Sequence, residues 1–133
     1  MGKYANLEKD VFSIFATNSW KSHNIKTFPA NYLTAGDEYI RVNILPNGAG
    51  INRVSVSGIL LIDIFVPKGQ GPNKVSLIAD KLDEYLVGKS PKTELNATTQ
   101  LFNSSLATLG IDPDNPTLYR AQYSIQFSYF GIL

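Results

Sequence analysis

Cysteine is absent from this 133-residue chain, and histidine, methionine and tryptophan each occur once. Without thiols there are no disulfides, no thiolate nucleophile and no cysteine-ligated zinc. A single histidine, His23, also excludes metal sites built on several imidazoles. Charge is sparse, at 17% of residues with a net value of +1. That balance implies no global attraction to nucleic acid or anionic lipid. No run of about 18 apolar residues occurs, so no membrane span is expected. The opening "MGKYANLEKDVF" lacks the apolar core and small-residue cleavage site of a signal peptide. The sequons at Asn96 and Asn103 are accordingly expected to stay unmodified.

What is present is apolar and aromatic: 44% hydrophobic residues, with seven Tyr and seven Phe. Residues 1–133 read as one domain, of a length that buries roughly two-thirds of its unfolded surface. Leu7, Val11, Ile14 and Phe15 fall on one stripe of a helix spanning about Tyr4 to Asn18. The stretch from Phe28 to Tyr32 is extended or a turn, because Pro29 pushes its predecessor out of helical geometry. Glu38–Leu45 alternates as a half-buried strand, and the glycine-rich Pro46–Asn52 suits a hairpin connection. A long strand follows from Arg53 to Val66, with Val54 and Val56 inward, Ser55 and Ser57 outward, and a bulge or bend at Gly58. A second helix covers Pro72–Leu86 and stops at Gly88. Thr93–Gly110 is polar and β-leaning, and "IDPDNP" (Ile111–Pro116) is a turn or loop. Thr117–Phe130 alternates cleanly, with Tyr119, Ala121, Tyr123, Ile125, Phe127 and Tyr129 on its apolar face. The expected fold is α+β: a two-layer sandwich of mostly antiparallel sheet with two helices on one face.

One segment breaks the pattern. In "SGILLIDIFVP" the residues Ile59, Leu60, Leu61, Ile62, Ile64, Phe65 and Val66 are apolar on both faces, interrupted only by Asp63. A strand bounded by water on one side alternates. A second cover is therefore required, either another layer of the same chain or a neighbouring molecule.

Sites for chemistry are thin. His23 lies in the polar "KSHN" and reads as a solvated loop residue. Asp112-Pro113-Asp114-Asn115 opens like a calcium loop but lacks the glycine and glutamate that complete one. Gly69–Lys74 runs from strand to helix like a phosphate loop, yet has the wrong spacing and no hydroxyl after the lysine. Asp63 is expected to pair with an arginine or lysine; the sharper alternative is a catalytic acid of a hydrolase or nuclease. A ligand pocket lined by Tyr119, Tyr123 and Phe127 is the other competing function. No catalytic, metal-binding or cofactor-binding residue is assigned.

The run "YIRVNILPNGAGINRVSVSGILLIDIFVPKGQGPNKVSLIADKLDEYL", preceded by an amphipathic helix and "FPANY" and followed by "YRAQYSIQFSYFG", resembles the small tail terminator proteins of long-tailed bacteriophages. The resemblance spans about Val11 to Phe130 and rests on patterning and short blocks. It implies a non-enzymatic structural protein of the virion, assembled in the host cytoplasm and sited at the head-proximal end of the tail. Such proteins form a hexameric ring that caps the tail tube, ends its polymerisation and offers the surface that joins the head. The implied partners are further copies of the chain, the major tail tube protein and a head-completion or connector protein. DNA would be cargo in the lumen, and no membrane or cofactor is involved. Related head–tail connector components share the pattern. With the two-sided strand, the resemblance nominates as subunit or tube contacts Asn47, Gly48, Gly50 and Ile51 in one turn, Ile59, Leu61, Asp63 and Phe65 on the strand, and Lys68 and Gln70 in the next turn.

Overall fold

In the computed structural model, residues 2–29, 38–69, 71–113 and 116–131 are described. The expected first helix is α1, Lys3–Phe15, which buries Leu7, Val11 and Phe15 along the stripe read from the sequence. Beyond it the chain does not simply unwind. Thr17 accepts a hydrogen bond from Trp20 N on its side-chain oxygen and restarts a short helix, α2, Asn18–Lys21. That turn delivers Trp20 to the core at 1% exposure, edge-on to Phe15 and Tyr85, with ring centroids 5.2 Å away in each case. Its indole Nε1 donates to Thr27 Oγ1 at 3.0 Å, tying α2 to the first strand, β1, Lys26–Pro29. Ala30, Asn31 and Tyr32, the rest of the stretch expected to be extended, lie outside the described residues.

β2 (Tyr39–Ala49), β3 (Val56–Pro67), the helix α3 (Gly71–Leu86), β4 (Ala97–Ile111) and β5 (Leu118–Gly131) complete the chain. The five strands form one sheet in the order β1-β2-β3-β5-β4. β1 is parallel to β2, and every other pairing is antiparallel. Apolar residues of α1, α2 and α3 pack against one face: Ile40 and Val42, then Leu60, Ile62 and Ile64, then Tyr123, Ile125 and Phe127. This is the expected two-layer α+β sandwich, with a third, short helix added.

Three local expectations are corrected. β2 runs through the glycine-rich segment to Ala49 by absorbing an extra residue in a bulge between Pro46 and Gly48, so the reversal comes later. Asn52 organises it, its Oδ1 accepting from Val54 N at 3.0 Å and from Ser55 Oγ at 2.9 Å. Ser55, expected outward, is instead 1% exposed, because its Oγ also accepts from Gly131 N at 2.9 Å; Val54 precedes the strand and is only half-buried. Third, the irregularity expected at Gly58 belongs to the partner strand: β3 keeps unbroken register with β5 from Val56 beside Tyr129 to Pro67 beside Leu118. Gly58 supplies space, since a Cβ there would lie 2.1 Å from the Leu45 carbonyl oxygen.

The polar segment after α3 is held by a buried acid. Asp10, on the inner side of α1 and 1% exposed, accepts from Thr93 N at 2.9 Å and Thr93 Oγ1 at 2.5 Å through one oxygen. Its other oxygen accepts from Thr99 Oγ1 at 2.8 Å. Those bonds satisfy a buried carboxylate and fix where β4 begins.

The close approach at Gly58 yields a paired expectation. Gly58→Ala forces backbone apart and is expected to cost about 2 kcal/mol or more. Gly69→Ala, where nothing lies within 4 Å of the new methyl, is expected to stay within about 0.5 kcal/mol of the parent. Urea unfolding midpoints compare the two directly.

Candidate functional site: the outer face of the sheet

Because all three helices pack on one side, the second face of β3 is where the sequence anomaly must be resolved. Alternation puts Ile59, Leu61, Asp63 and Phe65 there. Across β2 and β5, Leu45, Asn43, Arg41 and Tyr39 stand opposite them on one side, and Gln126, Ser124, Gln122 and Arg120 on the other. The face divides into two halves with different covers.

The half near the C-terminal end of β3 is closed by the chain's own side chains. Phe65 is 3% exposed and stacks on Tyr39, with ring centroids 4.6 Å apart at 24°; Leu118 and Phe28 complete the cluster. Asp63 is 9% exposed and receives two guanidinium groups, Arg41 Nη2 to Oδ2 at 3.2 Å and Arg120 Nη2 to Oδ1 at 3.1 Å. Register explains the geometry: Arg41 is directly opposite Asp63, and Arg120 is opposite Phe65, one diagonal step away. Both guanidinium carbons also lie over the Phe65 ring, 5.4 Å and 5.7 Å from its centroid. The acid in the apolar run is thus the counter-ion that lets two arginines sit over one aromatic ring. Its oxygens are engaged by cations, which is poor preparation for a catalytic acid or base.

The other half is open. Ile59 and Leu61 are half-buried and Leu45 is exposed, within a rim of Asn43, Ser124 and Gln126. A shallow depression of about 290 Å³ adjoins Ile59, bounded by Asn103, Ser105, Ser124 and Gln126.

The nominated contacts therefore do not form one patch. Asp63 and Phe65 already have their outer sides covered, while Ile59 and Leu61 offer apolar surface. Asn47 is exposed and Gly48 half-buried at the β2 bulge, followed by half-buried Gly50 and by Ile51 at 78% exposure. Exposed Lys68 follows the opposite end of β3, roughly 36 Å away for a strand of this length. Gln70 lies outside the described residues. Arg41 and Arg120 are what the sequence reading missed. Alternation puts each on a polar face, but only cross-strand register shows that both reach Asp63.

The other described candidates are engaged in packing and hydrogen bonds. His23 is not simply solvated: it is half-buried, with Nε2 3.0 Å from the Tyr85 hydroxyl and its ring edge-on to Trp20 and Tyr85. Tyr123 and Phe127, nominated for a ligand pocket, are each 1% exposed within the core, and Tyr119 is packed against it. The Tyr123 hydroxyl donates to Asp83 Oδ1 at 2.7 Å, and burial, then that carboxylate, push the phenol above its ordinary range. Asp112 is buried, and its N–H donates to Leu118 O at 2.9 Å; Asp114 and Asn115 lie outside the described residues. Among the described residues no group of three or more His, Asp or Glu is placed to hold a metal, and no helix is long and apolar enough to cross a membrane.

Removing the shared counter-ion should leave two adjacent, partly buried cations. Asp63→Asn is expected to cost about 1–3 kcal/mol, and adding Arg120→Gln to it should cost less than the sum of the single changes. A double-mutant cycle in urea measures the coupling; strict additivity would mean the ions do not act together.

No protein-family model and no curated protein sequence matches this chain. Among solved structures, one known only by a sequence identifier superposes with a TM-score of 0.65 at 15% identity. The match covers 98% of this chain and 94% of that one. At this identity the likeness is one of fold: the whole α+β sandwich recurs in a chain of nearly the same extent.

Proposed function

We propose that this chain is a structural subunit of a long-tailed bacteriophage, a tail terminator whose copies close into a hexameric ring on the finished tail tube. The ring stops tube growth and presents the surface to which the head-completion protein attaches. DNA passes through the lumen without being held, in keeping with a net charge of +1. The observation that carries this reading is the divided outer face. Leu45, Ile59 and Leu61 form an apolar strip with a polar rim on the side of the sheet that no described helix covers. In a closed ring each subunit meets its two neighbours through different patches, so a strip on one copy can meet a different surface on the next. The resemblance of the sequence to tail terminators supports the same reading. So does the engagement of Asp63 and His23 in packing and ion pairs, which leaves neither arranged for catalysis.

The test is direct. Negative-stain images of the purified chain, alone and with tail tubes, should show six-fold annuli that cap tubes of limited length. Leu61→Glu puts a charge on the half-buried strip and is expected to abolish the annuli while circular dichroism and cooperative unfolding persist. A chain that stays monomeric under all these conditions, with no effect on tube length, would overturn the reading.

A further inference from the structure

The sheet has two edges, and they are built differently. β1 is four residues long, begins at Lys26 and ends at Pro29, features that blunt an edge. β4 is fifteen residues long and contains no charged residue and no proline. Its first part is covered from within: Thr99 N donates to Pro91 O at 3.1 Å and Leu101 N to Lys89 O at 2.9 Å. Those amides point away from β5, and the bulge between Leu101 and Ser104 resets the alternation so that the same outward direction falls on Ser104, Leu106 and Thr108, which stand beside Ile125, Tyr123 and Ala121. Among the described residues, no backbone hydrogen bond is made on this outer side beyond Leu101. Around it Phe102, Leu106, Leu109 and Ile111 are 39–50% exposed. A long, uncharged, apolar edge is what soluble proteins ordinarily protect.

We propose that this edge pairs with the same edge of a second copy of the chain, antiparallel about a two-fold axis at Leu106, joining two five-stranded sheets into one. Three observations choose a second copy as the occupant. The β1 edge is closed by a lysine and a proline, whereas the regular stretch of β4 between its two bulges, Ser104–Thr108, matches itself about Leu106. An edge without charge meets its own copy with no like charges opposed. The two-fold register is also chemically consistent. It sets Leu106 against Leu106 of the second copy and Ser104 against its Thr108, and these outward-facing residues are the ones able to exchange backbone hydrogen bonds. The two bulges, between Leu101 and Ser104 and between Thr108 and Gly110, then lie on either side of the axis. This contact is two-fold, whereas the proposed ring contact is head-to-tail, so neither depends on the other.

The absence of cysteine makes the test clean. In a two-fold contact a single introduced thiol meets its own copy. Leu106→Cys is expected to give a cross-linked dimer, by oxidation or a short bis-thiol reagent, at least about tenfold faster than a collision-controlled thiol, because pairing raises the effective concentration. Leu77→Cys, on the exposed side of α3 at 53% exposure, is the control. By sedimentation the Leu61→Glu variant, in which the ring contact is removed, should reach twice 14.6 kDa with rising concentration. Adding Leu106→Lys to Leu61→Glu, which opposes two ammonium groups, should leave the chain folded and make it sediment as the single chain. The proposal is overturned if the Leu61→Glu variant stays monomeric up to its solubility limit, or if Leu106→Cys cross-links no faster than Leu77→Cys. Annuli that form while Leu106→Cys stays uncross-linked overturn the edge pairing and leave the ring. Cross-linked pairs without annuli do the reverse.

Discussion

The central strand has to be satisfied on four sides, and the rest of the molecule is arranged around that requirement. Its hydrogen bonds go to β2 and β5. Its inner side chains, from Leu60 to Val66, meet the three helices. Its outer side chains have no helix over them, so one half is closed by chemistry unusual for an open sheet face. There a carboxylate shared by two guanidinium groups lies over a stacked aromatic pair. An isolated buried charge would be costly, but one paired in register with Arg41 and diagonally with Arg120 lets long side chains serve as cover. Gly58 belongs to the same constraint, because the β2 bulge brings the Leu45 carbonyl into the space a side chain would need.

What the outer face leaves open is as informative as what it closes. The Arg41–Asp63–Arg120 set ends where Leu61 begins, and from there to Leu45 the surface is apolar and unprotected. The same economy appears at the sheet margin. The segment Lys89–Pro91 and the Asp10 carboxylate settle the beginning of β4, and the remaining length has neither charge nor proline to discourage pairing. Three of the chain's few charges, Arg41, Asp63 and Arg120, cover its own apolar groups, while the strip and the edge carry none. Bare surfaces of this kind on a rigid sheet suit protein assembly better than small-molecule chemistry, which would call for convergent polar groups in a concave site.

Much of this was legible in the residues, for reasons that differ by element. The α1 stripe, α3 and the alternation of β5 depend on local periodicity, which a strand or helix cannot escape. The division of β5 into core and polar faces came out as read for that reason. The unusual status of β3 was visible because apolar residues on both faces violate the same periodicity. Its cover was not visible. Asp63 does pair with arginine, as expected, but which arginines was not legible, and neither a second layer nor a neighbouring molecule is what covers Phe65. Arginines distant in sequence, one on each neighbouring strand, do that work, and no local pattern encodes cross-strand register. Ser55 was misplaced for a related reason: its hydrogen bonds to Asn52 and to Gly131, 76 residues away, outweigh the outward position that alternation assigns it.

By itself, then, the amino-acid order determined the two long helices and the main extended segments, which face of each is apolar, that thiol and multi-histidine chemistry are out of reach, and that no run is long and apolar enough for a membrane-spanning helix. Those properties follow from side-chain type and from spacings within a dozen residues. Tertiary structure alone decided which strand lies beside which, where Arg41 and Arg120 meet Asp63, that His23 rests against Tyr85, and which apolar residues remain uncovered. Each of these depends on contacts between residues far apart in the chain, settled only when the sheet has closed on its helices.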